Sequence, residues 1–208
     1  MARLSIELQR FFFEEEQSPQ VTLTDVLSLA GERVFGFLFV VLSLPSALPI
    51  PAPGYSVPFG LAMLPLAIQL MMGAQRPWLP KKIVNQPIEL TQLQKIIKTG
   101  LPWFRRIETI TRPRLTYICT SVLGRIFLGI AIALMSISMM IPIPGTNTAP
   151  AIGIFVTGFG LLEDDGVISL GGLTICLIWS VLMASILVAL IFGGSSLVDM
   201  LKEWLQTL

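Results

Sequence analysis

Residues 49–58, PIPAPGYSVP, set four prolines and a glycine between two apolar runs, 34–48 (VFGFLFVVLSLPSAL) and 59–73 (FGLAMLPLAIQLMMG). Proline has no N–H to donate and its ring clashes with the preceding turn, so regular helix stops here. Each flanking run is about 15 residues, or roughly 23 Å of helix, against a hydrocarbon core about 30 Å thick. Backbone polar groups inside a bilayer must be satisfied internally. Such a break is therefore either a turn outside the membrane or an irregular segment enclosed by protein at membrane depth.

The same arrangement recurs. Residues 141–150, IPIPGTNTAP, form a second break between the apolar segments 115–141 and 151–162. Pro49-Ile50-Pro51 corresponds to Pro142-Ile143-Pro144, Gly60 to Gly153 and Gly73 to Gly166, each 93 positions apart. Gly31-Glu32-Arg33-Val34-Phe35 corresponds to Leu123-Gly124-Arg125-Ile126-Phe127 at an offset of 92. Several matches at a nearly constant offset indicate an internal duplication. Parallel and inverted arrangements of the two halves both remain open. Short, interrupted apolar segments at corresponding positions of two halves point to a transporter-type site between them.

Composition agrees with a membrane setting. Of the 208 residues, 53% are hydrophobic and 13% charged, with mean hydropathy +0.78; soluble domains carry about 25% charged residues. Histidine is absent, which removes the commonest general base and zinc ligand. Neither a nucleotide-binding glycine loop nor a G-x-S-x-G element is present, and no cofactor, metal site or catalytic residue is expected. Net charge is +1, so no global field favours nucleic acid. Cys119 and Cys176 sit in apolar stretches and read as small buried side chains.

Five regions are expected: an amphipathic surface helix in 1–20, a first repeat in 21–80, a basic linker in 81–114, a second repeat in 115–172, and a membrane helix with its tail in 173–208. Leu4, Leu8, Phe11 and Phe12 give the first of these its apolar face. The N-terminus lacks the pattern of a cleavable signal peptide, so the first apolar span is expected to act as an uncleaved insertion signal. Residues 74–114 hold nine of the fourteen basic residues, opposed only by Glu89 and Glu108, which assigns this linker to the cytoplasm. Leu90, Leu93, Ile96 and Ile97 mark a second surface helix there. The expected fold is an all-α polytopic integral membrane protein, with two Pro/Gly-broken repeats that either cross or re-enter, plus interfacial amphipathic helices.

Candidate site residues follow from polarity near the breaks. The breaks themselves comprise Pro49, Pro51, Pro53, Gly54, Pro142, Pro144 and Gly145. Gln69 and Asn147 are the neutral polar groups beside them; a buried amide either satisfies freed backbone or contacts a ligand. Glu163, Asp164 and Asp165 form the compact acidic cluster, able to bind a cation, to be solvated at a helix end, or to cap the next helix through Asp165. Arg33 and Arg125 recur at the start of each half, placed to pair with acids, bind an anionic headgroup or snorkel.

The run Gly31-Glu32-Arg33…Phe35-Gly36…Leu44-Pro45…Gln69-Leu70…Gly73…Arg76-Pro77-Trp78-Leu79-Pro80, with Leu161-Leu162-Glu163-Asp164-Asp165-Gly166, resembles the exopolysaccharide-synthesis ExoD family over about residues 21–193. The resemblance implies a bacterial inner-membrane protein linked to exopolysaccharide production and brings no catalytic residue set. Two functions are expected to compete. One is a transporter or channel for a small solute, with a cation such as a basic amino acid or ion favoured by the acidic cluster. The other is a non-transporting accessory subunit that docks exopolysaccharide assembly enzymes through its basic linker. A homodimer in the bilayer would help bury the broken backbone.

Overall fold

The computed structural model describes residues 9–14, 20–22, 27, 31–47, 56–80, 87–90, 94, 111–141 and 147–206. Its helices are α1 (Val34–Ala47), α2 (Val57–Met71), α3 (Tyr117–Thr120), α4 (Val122–Met140), α5 (Thr148–Leu162) and α6 (Gly166–Gln206). A π-type turn covers Arg10–Glu14 and a 3-10 turn, Gly31–Arg33, leads into α1. The chain departs from the expected all-α class in one small ribbon. Strands β1 (Gln20–Thr22) and β2 (Pro87–Glu89) pair antiparallel, with Val21 opposite Ile88. Residues 49–55 and 142–146 of the breaks, residues 1–8 of the expected N-terminal surface helix, and most of 81–110 lie outside the described residues.

Local chemistry sets the helix ends. α2 closes in a Schellman motif: Gly73 N–H donates to Leu70 and Ala74 N–H to Gln69, both at 3.1 Å, with Gly73 at φ +78. α5 closes the same way, with Asp165 N–H donating to the Gly160 carbonyl at 2.9 Å. Here Asp164, at φ +53, takes the left-handed position. The structural counterpart of Gly73 is therefore Asp164, not Gly166 as the offset of 93 suggests; a short polar side chain tolerates this conformation. α4 begins at Ser121, whose hydroxyl accepts from Gly124 N–H at 3.1 Å, and ends at Ile141, whose extended backbone (ψ 115) suits the residue before Pro142. α6 is one uninterrupted helix of 41 residues, so position 172 lies within it.

The helices run up, down, up, down, up. α1 packs antiparallel on α5: a Cβ on Gly36, early in α1, would sit 2.8 Å from the Gly158 carbonyl oxygen, late in α5. α4 packs antiparallel on α2 in the same sense, with Gly129 early in α4 against Ala67 and Met71 late in α2. Gly36 and Gly129 are 93 positions apart and serve the same close approach of backbones. α6 then packs on α5, with Cys176 beside Gly153 and Ser169 beside Gly160. Phe35, at the start of α1, lies under the guanidinium of Arg125 near the start of α4, 5.8 Å from ring centroid to Cζ. α1 and α4 thus start at the same end and run in the same direction.

The core is apolar with hydroxyls that bond to their own helix. Phe39, Met63, Ile132, Met135 and Ile154 are fully buried. Ser43, Ser136 and Thr157, also buried, donate to the carbonyls of Phe39, Ile132 and Gly153 at 2.6, 2.7 and 2.8 Å. Ser43 and Ser136 again stand 93 apart. The outward faces are apolar too: Leu61, Ile68, Phe127, Leu134, Ile178 and Val181 are all exposed. Helices apolar on both faces suit a lipid solvent. Val122–Met140 and Gly166–Ile186 are long and apolar enough to cross a membrane. Cys119 and Cys176 are buried and free.

Candidate functional site

Two polar regions stand at opposite ends of the bundle. The first gathers the starts of α1, α4 and α6 with the ends of α2 and α5, and it holds the charge. Arg33 lies 3.5 Å from the Asp164 carboxylate, the two side chains 22% and 31% exposed. Arg125 donates to the Ala74 carbonyl at 2.6 Å. Asp164 and Ala74 each follow a helix C-terminus, where a cation complements the dipole. The arginine starting each half thus caps the second helix of the other half.

Asp165 is 2% exposed and fully engaged. Its Oδ1 accepts from the N–H groups of Val167 and Ile168 at 3.0 and 3.3 Å, the N-cap geometry for α6. Its Oδ2 accepts from Arg112 N–H at 3.1 Å, and Gly166 N–H donates to the Arg114 carbonyl at 2.7 Å. The end of the linker is thereby tied to the start of α6. Glu163 is the partly buried C-cap of α5. Gln69 belongs to this end: its amide donates to the Trp78 carbonyl at 3.2 Å and accepts from Trp78 N–H, folding the Arg76–Pro80 stretch back over the end of α2. Trp78 and Tyr117 are exposed there, beside exposed Arg76, Arg112 and Arg114. Aromatic and basic side chains in one band are the signature of a membrane–water interface.

The second region is neutral, and it lies where residues of the two breaks meet. Asn147, within the second break, donates through Nδ2 to the hydroxyl of Ser56, within the first. Ser56 donates in turn to the Met139 carbonyl at 3.4 Å, and Trp179 Nε1 donates to Ser138 Oγ at 3.3 Å. Asn147 occupies the N-cap of α5 but makes no cap bond, although Asn is among the best cap residues. Among the described residues its Oδ1 is buried without a hydrogen-bond partner, and so is the hydroxyl of Ser46 in the last turn of α1. Buried polar atoms left unpaired are rare enough to call for an explanation.

Of the residues singled out from the sequence, Arg33, Arg125, Gln69, Glu163, Asp164 and Asp165 share the charged end, while Asn147 stands at the other. The helix between Asn147 and Glu163 is about 15 residues, or roughly 22 Å. The acidic cluster therefore does not adjoin the breaks. Pro49, Pro51, Pro53, Gly54, Pro142, Pro144 and Gly145 lie outside the described residues. Ser46, Ser56, Ser138 and Trp179 were not singled out. Their signal in the sequence is that of isolated polar groups in long stretches free of charge, 34–75, 126–162 and 166–198.

Residues 4–185 match the family described as "Exopolysaccharide synthesis, ExoD". The chain belongs to the ExoD family. This ExoD-family chain is 52% identical over 206 residues to an uncharacterized protein of Synechocystis sp., covering 99% of its own length and 97% of that protein. It is 30% identical over 155 residues to Protein ExoD of Rhizobium meliloti, covering 73% of its own length and 64% of that protein. No solved structure matches. Membership links the chain to exopolysaccharide synthesis. The motif residues Gln69, Gly73 and Trp78 act here as one unit, a helix end with its following segment clamped on it.

Proposed function

We propose that this ExoD-family protein is a multi-pass protein of the bacterial inner membrane that carries a small solute through the junction of its two breaks. The observation that carries this reading is the bond from Asn147 to Ser56, which joins one residue of each break. The proposal treats α1–α2 and α4–α5 as two copies of one helix–break–helix unit in the same orientation. The shared positions Gly36/Gly129 and Ser43/Ser136, and the crossed arginine caps, support it.

Depth is the second support. Trp179 marks the level of the break end on α6 through its bond to Ser138. From Gly166 to Trp179 is about 13 residues, or roughly 20 Å. The apolar run of α6 continues as far again, with Val181, Leu182, Val188 and Phe192 exposed. With the Trp78–Tyr117 band at the cytoplasmic interface, the Asn147–Ser56 contact then falls inside the hydrocarbon layer. A short helix with an irregular end is tolerated there only against protein or a water-filled cavity.

Purified protein in proteoliposomes tests the reading. Solute flux that requires the protein and drops on substitution of Asn147 is expected. No flux over a panel of charged and neutral solutes, together with capture of an exopolysaccharide assembly enzyme by residues 74–114, would replace it with an accessory, docking role.

A further inference from the structure

We infer that Arg112 and Arg114 form a fixed docking site for the phosphate headgroup of an anionic phospholipid, whose acyl chains run along the outer face of α4. The inference stands apart from the transport reading and needs only that α4 crosses the membrane.

Both guanidiniums are exposed, and among the described residues neither has an ion-pair partner. The aspartates packed at this point of the fold are already engaged: Asp164 faces Arg33, and Asp165 accepts from backbone N–H groups. Residues two apart in a chain have Cα atoms at most about 7 Å apart. Two arginine forks so placed can share one phosphate group without any movement of the backbone, and the planar fork suits phosphate oxygens.

The backbone that carries the pair is held in place. Arg112 N–H donates to Asp165 Oδ2 at 3.1 Å, and the Arg114 carbonyl accepts from Gly166 N–H at 2.7 Å. Pro113 fixes its own φ and keeps Arg112 out of helix. Leu115 follows at φ +47, a left-handed conformation that is costly for leucine. Its carbonyl packs against Gly166, where a Cβ would sit 2.3 Å from the oxygen. All these contacts use main-chain atoms of the segment, so both guanidiniums stay available. The duplication does not call for the pair: positions 19–24, 93 residues earlier, read PQVTLT and carry no basic residue.

What adjoins the arginines selects a lipid over a free anion. Leu115 and Tyr117 are 50% and 64% exposed. α3 packs on the first turn of α4, where a Cβ on Gly124 would meet the Ile118 carbonyl oxygen. From that turn Leu123, Phe127, Ile130, Leu134 and Ile137, spaced four and three apart, form one exposed apolar stripe along α4. The stripe covers about 14 residues, or roughly 21 Å, more than half of a hydrocarbon core about 30 Å thick. An acyl chain below the headgroup meets apolar side chains over its whole depth. An acidic protein segment could use the arginines but not the stripe, which lies within the bilayer.

The test is native mass spectrometry of the full chain in detergent, with equal amounts of phosphatidylglycerol and phosphatidylcholine of identical acyl chains. Phosphatidylglycerol is expected to be retained about tenfold over phosphatidylcholine. Arg112→Gln with Arg114→Gln should bring the two lipids to parity. Arg76→Gln with Lys82→Gln removes the same charge from the same linker and should leave the preference in place. The first double variant keeps every main-chain contact above, so its unfolding temperature in lipid-free detergent should match that of the parent chain, which separates loss of the site from loss of the fold. Parity of the two lipids on the parent chain overturns the inference, as does equal loss of preference from both double variants. Full displacement of phosphatidylglycerol by millimolar inorganic phosphate also overturns it, because the ligand is then a free anion. So does an arginine pair that lipid preference does not need but capture of an exopolysaccharide assembly enzyme does.

Discussion

Arg125, in the first turn of α4, donates to the carbonyl of Ala74, just past the end of α2, at 2.6 Å. Arg33, just before α1, makes the matching reach to Asp164 at the end of α5. Each half of the chain therefore closes the other. The two contacts differ in strength. Arg125 is part-buried, bonds a carbonyl and lies over the Phe35 ring. A hydrogen bond to a charged group contributes about 1.5–3 kcal/mol, and a partly desolvated cation–π contact about 1 kcal/mol more. The Arg33–Asp164 pair is solvent-screened and contributes about 0–1 kcal/mol. Arg125→Ala is expected to lower the unfolding temperature in detergent by several times the effect of Arg33→Ala. Equal shifts would mean that the Ala74 contact is not what holds α4 against α2.

Asp165 and Asp164 are neighbours with different work. Asp165 caps α6 and holds the linker end through Arg112. Loss of a cap costs about 1–2 kcal/mol, and here the Arg112 N–H also loses its acceptor. Asp165→Ala is expected to be clearly destabilising by denaturant titration, and Asp165→Asn partly so. Asp164→Asn should cost less than either, since it keeps a side chain that tolerates the left-handed turn. Greater damage from Asp164→Asn would show that the acidic cluster acts through charge and not through capping.

Gly36 and Gly129 occupy corresponding contacts, but their neighbours differ in how far they yield. A Cβ at Gly36 meets the backbone of Leu162 and Gly158, which cannot shift without moving α5. A Cβ at Gly129 meets first the Met71 side chain, which is flexible. Gly36→Ala is therefore expected to cost about 1–3 kcal/mol as overpacking, and Gly129→Ala distinctly less. Thermal unfolding of both variants in one detergent decides this.

Much of the helix layout was legible in the sequence because apolar runs and prolines mark it directly. The run 34–48 became Val34–Ala47. The capping role was one of the readings open for Asp165. The exchange of partners between halves was not legible, since nothing in one helix names the helix it packs on. The turn at Asp164 was hidden because the better-looking match, Gly73 with Gly166, lies two residues further on. Ser46 was missed because a single serine in an apolar helix ordinarily bonds its own backbone, as Ser43 and Ser136 do. The ribbon of Gln20–Thr22 with Pro87–Glu89 is too short to show alternation.

The central claim is that solute passes where the two breaks meet. Ser56→Cys with Asn147→Cys, in a chain carrying Cys119→Ala and Cys176→Ala, places one thiol on each side of that junction. Flux through proteoliposomes is measured before oxidation, after disulfide formation and after reduction. The account predicts that the intramolecular disulfide forms, that flux falls to the empty-liposome rate, and that a reductant restores it. A disulfide that forms in full while flux continues unchanged would contradict it.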